Sequence, residues 1–135
     1  MKQIEPLKPL EWVGSSQNDL RSFPKDIRRE AGFALHLAQM GDKSVNAVPM
    51  VGFGGASVLE VVMPSDNQTF RAVYTVKFKK AVYVLHAFQK KSKKGIRTPQ
   101  ADMDLINKRL KAAKLHYQHN YEQVPKPEQK HERAS

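Results

Sequence analysis

No cysteine occurs in these 135 residues. Disulfides, thiolate metal centres and a cysteine nucleophile are therefore excluded, and the composition fits the cytoplasm. Aromatic residues make up only 8%, with a single tryptophan, Trp12. No apolar run is long enough to cross a bilayer, and the best of them, 81–88, is interrupted by His86. The opening MKQIEPLKPL carries two prolines and two lysines and no apolar core, so neither a secretory signal nor membrane attachment is expected.

Acid is the other shortage. Against 23 Lys+Arg there are 13 Asp+Glu, a formal net charge of +10. From Arg71 to Ala101 there are nine basic residues and no acidic one. Such a field calls for a polyanionic partner: nucleic acid, a ribosome or an acidic protein. The length and the 40% hydrophobic content suit one domain with a modest core.

What is present divides the chain into a lead-in (1–9), a folded domain (10–117) and a polar tail (118–135) expected to be disordered. EWV (11–13) suits a short strand. Ser15 or Ser16 can cap a short helix ending near Ser22. Pro24 suits the first position of a second helix. In it Ile27, Ala31, Ala34, Leu35 and Ala38 recur at helical spacing until Gly41. Residues 42–56 read as irregular. GFGG (52–55) lacks the Gly-Lys-Ser/Thr of a phosphate loop and reads as a turn. SVLEVVM (57–63), TFRAVYTVKF (69–78) and AVYVLHAF (81–88) predict a three-stranded antiparallel meander, with PSDNQ and Lys79-Lys80 as its turns. A last helix from Pro99 toward Tyr117 carries Met103, Ile106, Leu110, Ala113 and Tyr117 on one face. The class is α+β.

The stretch VYVLHAFQKKSKK (82–94) runs the most apolar strand into the densest positive charge. A turn at Lys79-Lys80 sets Phe78 opposite Ala81 and hence Arg71 opposite Phe88, diagonal to His86 and Lys90. Val73, Thr75 and Lys77 then share Arg71's face with Val82, Val84 and His86. Lys90 joins that face, and Lys91 points to the other. Arg71 serves as a phosphate contact or, equally, as an ion-pair partner of Glu60. His86 alone would read as a half-buried histidine; set among cations it is held neutral and can act as a base. His116 and His119 have helical spacing but no third ligand, so no metal site is expected. Cations and a histidine on a sheet suit RNA cleavage without a metal. RNA brings its own 2′-hydroxyl nucleophile, and the protein has only to align it, take its proton and neutralise the phosphate. Passive binding of a polyanion fits these residues as well.

Three motifs narrow the choice. They are W-x-G-S-S near the start, F-R-x-x-Y on the second meander strand, and A-V-Y-V-L-H-A-F-Q-K-K followed by T-P. In this order and spacing, over residues 9–117, the chain resembles the phage-derived branch of the RelE/HigB toxin superfamily. The resemblance implies a RelE-like fold: a small antiparallel sheet with an N-terminal helical pair on one face and a C-terminal helix. It implies the toxin of a type II toxin–antitoxin pair, an endoribonuclease cutting mRNA on the translating ribosome, with no cofactor. Its partner would be a helix-turn-helix antitoxin. The family's strand arginine falls on Arg71, its histidine on His86 and its basic strand end on Lys90 and Lys91. Lys77, Lys93, Lys94 and Arg97 are then candidate RNA contacts. Two features depart from the family. Leu59-Glu60-Val61-Val62 stands where relatives often read Arg-Glu-Ile-Arg, and 92–97 has no tyrosine. Two alternatives stay open: a binding-only toxin of the same fold, as in the ParE toxins, and a phage-derived nucleic-acid-binding protein without cleavage.

Overall fold

The computed structural model describes residues 6–90 and 98–122. In chain order the elements are β1 (Leu10–Trp12), α1 (Ser16–Arg21), α2 (Lys25–Gln39), β2 (Ala47–Pro49), β3 (Val58–Ser65), β4 (Gln68–Thr75), β5 (Val82–Lys90) and α3 (Gln100–Asn120). The strands form one 5-stranded sheet in the order β1-β5-β4-β3-β2. β1 runs parallel to β5 and the other pairs are antiparallel. The α+β class is as expected, but the sheet is mixed rather than wholly antiparallel. Its outer strand β2 falls in the stretch expected to be irregular. Three residues are too few to show alternation, and Pro49 is tolerated because β2 is an edge.

Alternation along the strands builds two cores. Leu59, Val61, Phe70, Ala72, Tyr74 and Val84 face α1 and α2, where Ile27, Ala31, Leu35 and Ala38 cover them. Val58, Val73, Tyr83 and Leu85 face the other way, beneath Ile106, Ala113 and Tyr117 of α3. The sheet is thus covered by helices on both faces. Pro24 and Pro99 each stand immediately before a helix, where the fixed φ sets the chain direction and no amide hydrogen is missed. α2 stops at Gly41, whose φ of +85° is the left-handed conformation that glycine adopts freely. Among the described residues no helix is long and apolar enough to cross a membrane.

β4 and β5 pair as the pattern predicts over one half, with Arg71 opposite Phe88 and Val73 opposite His86. Then a bulge slips the register, and Tyr74 faces Val84 while Thr75 faces Tyr83. Leu85 is the extra residue. Lys79-Lys80 turn as expected, the Ala81 amide donating to the Phe78 carbonyl (3.5 Å), but β4 ends at Thr75, so the strands are joined by the longer connection 76–81. Two expectations are thereby corrected. Val82 and Val84 belong to the α2-side core. Lys77 lies beyond the strand, exposed, and does not share a strand face with Arg71. One inserted residue reverses every later side chain of a strand, and no hydrophobic pattern marks where it falls.

The W-x-G-S-S motif is a joint. Gly14 has φ +58°, and a Cβ there would sit 2.8 Å from Arg109 Nε of α3. The Arg109 guanidinium lies over it, donating to the Leu85 carbonyl on the bulge (3.0 Å) and to Ser15 Oγ (3.1 Å). Ser16 Oγ, fully buried, donates to the Val84 carbonyl (3.2 Å). β1, α1, β5 and α3 are therefore fastened at one point. At its far end α3 continues past Tyr117: Tyr121 stacks on that ring at 5.2 Å, and its hydroxyl donates to Glu11. Residues 118–122 are thus placed by the fold rather than lying in a tail.

Candidate nucleic-acid site

Arg71 sits in the middle of β4 on the α3-facing side of the sheet, only 4% exposed. Its Nη1 donates to both carboxylate oxygens of Glu60 on β3, each at 3.2 Å. Glu60 Oε2 also accepts from Thr98 Oγ1 (3.1 Å), just ahead of α3. A guanidinium so deeply covered requires a charge partner, because an isolated buried charge costs several kcal/mol. Of the two roles considered for Arg71, the ion pair with Glu60 is the one formed in this geometry.

His86 occupies β5 opposite Val73, on the same sheet side. Its ring stacks on Phe88 with centroids 4.7 Å apart and planes 16° from parallel. Nε2 donates to Asp102 Oδ1 in the first turn of α3, at 2.7 Å. Nδ1 is buried and makes no hydrogen bond among the described residues. The expectation of a histidine surrounded by cations is therefore corrected: its charge partner is a carboxylate. That carboxylate accepts from Nε2 and fixes the orientation of the ring.

Lys90 ends β5 opposite Thr69, half-buried, on Arg71's side of the sheet. Lys91, Lys93, Lys94 and Arg97 lie outside the described residues. The structure thus brings together Arg71, His86 and Lys90, and it separates Lys77 from them. It adds three groups. Glu60 was weighed from the sequence; Asp102 and Thr98 were not. Asp102 is the first acid after the acid-free stretch, and that position was the available signal. With His86 neutral, the formal charges of Arg71, Glu60, Lys90 and Asp102 cancel. Among the described residues the patch is therefore balanced in charge and built on two pairs, Arg71–Glu60 and His86–Asp102.

A second polar cluster fastens the other end of α3. Tyr83 OH and His116 Nδ1 are hydrogen-bonded at 2.6 Å, and the Lys80 amide donates to Tyr117 OH at 2.9 Å. Burial, with the Glu11 carboxylate second, pushes the Tyr83 hydroxyl well above the usual phenol range. The hydrogen bond to Glu11, and then burial, push Tyr121 up to about 12. Trp12 packs against the α2-side core as an anchor of β1.

The model of the family described as "Phage derived protein Gp49-like (DUF891)" matches residues 18–111. No curated protein matches significantly. Among solved structures, a mutant of the E. coli toxin RelE in the free state is similar at 14% identity with a TM-score of 0.49. The alignment covers 79% of this chain and 98% of that one.

Proposed function

Because the chain belongs to the phage-derived Gp49-like family, we propose that it is the toxin of a type II toxin–antitoxin pair of the RelE superfamily, cutting mRNA on the ribosome in the cytoplasm. The observation that carries this reading is the alignment of Arg71, His86 and Lys90 on one side of the β4–β5 ladder. In this reading His86 Nδ1, its ring stacked on Phe88, takes the proton of the 2′-hydroxyl as that oxygen bonds to phosphorus, the P–O5′ bond breaks, and the leaving 5′-oxygen takes a proton from water. Lys90, joined by Lys91, neutralises charge building on the phosphate, and Arg71 exchanges Glu60 for a phosphate oxygen. Lys93, Lys94 and Arg97 hold the flanking RNA. Substrate reaches His86 and Arg71 once the first turn of α3, with Thr98 and Asp102, moves off them. The partner in this reading is a helix-turn-helix antitoxin.

The Arg71–Glu60 pair favours a second reading, a binding-only toxin in which Arg71 is structural. Induced expression with mapping of mRNA 5′ ends decides between them. Frame-linked cuts that vanish in His86→Ala and Lys90→Ala support the nuclease. Growth arrest with intact mRNA supports the binding-only toxin.

A further inference from the structure

The cations of α3 have no part in the site just described. From Leu105 to Asn120 the helix carries Lys108, Arg109, Lys111 and Lys114 and no acidic residue. Arg109 is used by the joint at Gly14. Lys108, Lys111 and Lys114 are exposed, and among the described residues none of them enters an ion pair. They recur every third residue on the side away from the buried Ile106, Ala113 and Tyr117. Like charges at that spacing destabilise a helix by a few tenths of a kcal/mol per pair.

More lysines join them at the C-terminal end. The connection 76–81 exposes Lys77, Lys79 and Lys80 and is fixed to that end of the helix. Phe78 stacks on Tyr117 at 4.9 Å, the Lys80 amide donates to Tyr117 OH, and Lys80 Nζ donates to the Tyr121 carbonyl at 3.3 Å. Lys77 thus finds its neighbours here rather than beside Arg71. The site containing His86 lies at the opposite end, against Asp102. At 1.5 Å per residue, Lys111 is about 14 Å along the axis from Asp102.

We infer that the outer face of α3, together with the 76–81 connection, is a docking surface for the phosphate backbone of folded RNA, separate from the candidate cleavage site. An acidic protein would need an apolar anchor as well as charge, since protein interfaces place apolar side chains at their centre. This surface exposes two large apolar side chains, Leu115 on the helix and Val76 on the connection, which lie on different elements. Lysines on flexible stems, with no fork geometry, suit a phosphate array read without sequence. The inference requires RNA as the partner but not cleavage of it.

The test is binding of the purified full chain to a labelled RNA duplex of arbitrary sequence across a salt series. In the triple variant Lys108→Gln, Lys111→Gln, Lys114→Gln, the log–log salt slope should flatten by roughly 2–3 units, at 0.7–0.9 per lost contact. Glutamine is a good helix former, and a thermal melt verifies that the variant is folded. The control is Lys25→Gln, Arg28→Gln, Arg29→Gln on α2, across the sheet, which should leave the slope unchanged. An unchanged slope in the α3 variant, or equal flattening in both, overturns the inference. So does loss of binding to polyglutamate with duplex binding intact, which would mark an acidic-protein surface. If the wild-type chain binds the duplex as described but cuts no mRNA in cells, the ridge stands and the nuclease reading falls. If it cuts mRNA and the α3 variant keeps its slope, the reverse holds.

Discussion

Arg71 has a consequence for how any variant of it is interpreted. Truncating one member of a buried ion pair strands the other, so Arg71→Ala should destabilise the fold by about 3–5 kcal/mol. The double variant Arg71→Met, Glu60→Leu should recover most of that loss, since an apolar pair of similar volume removes both charges together. Urea denaturation of the two variants checks this. A single variant within about 1 kcal/mol of wild type would mean that Arg71 is not held by Glu60 in solution. Loss of toxicity in Arg71→Ala therefore cannot by itself separate misfolding from chemistry; the same holds for the buried His86, so a denaturation curve accompanies its variant and the half-buried Lys90 carries the cleaner functional test. At this scale the sequence was partly legible. Arg71 opposite Phe88 and His86 opposite Val73 follow from alternation, and Glu60 was within reach of Arg71 on the neighbouring strand. Asp102 was not, because its meeting with His86 depends on how α3 crosses the sheet, and α3 has a thin apolar stripe with only Ile106, Ala113 and Tyr117 buried.

Among elements, α3 matters most to the site, because it is fastened at both ends by polar contacts. Its C-terminal anchor is sensitive to alkali. Tyr121 ordinarily titrates near 10.0 and is pushed up to about 12 in the fold, with Tyr83 raised as well. Both phenols are neutral in folded and unfolded chains below pH 10. Above it the unfolded chain loses these protons first, so stability falls with rising pH until the folded phenols also ionise. Chemical denaturation should show this decline between pH 10 and about 12. Tyr121→Phe, which has no proton to lose, should be less stable at neutral pH and decline less steeply above pH 10. A wild-type chain whose stability is flat across that window would show that the Glu11–Tyr121 contact is absent in solution. The helices themselves were readable, since Pro24, Gly41 and Pro99 delimit clear 3.6-residue patterns. The bulge was not, because Leu85 is as apolar as its neighbours on either face and turn chemistry at Lys79-Lys80 suggested an unbroken ladder. Strand β2 was hidden by brevity.

For the molecule as a whole, the excess of positive charge opposes compaction. Its formal net charge of +10 should make stability rise with salt, as the screening length falls from about 10 Å at 0.1 M to about 3 Å at 1 M. Thermal midpoints measured across a sodium chloride series check this, and a midpoint that falls would mean that attractive pairs outweigh the repulsion. The strand order has a different consequence, one concerned with time. β5 is the last strand in the chain and yet lies between β1 and β4. Leu10 waits for Val82 before it has a partner. Until then β1 has no neighbour, and β4 presents an open edge of the kind that recruits other chains. Closure over such a distance in sequence is slow. In a growing chain the sheet would therefore stay open until β5 is made, and its α3-side face would stay uncovered until Gln100–Asn120 follow. That delay leaves an interval in which another chain could meet the open edge of β4 before β5 does.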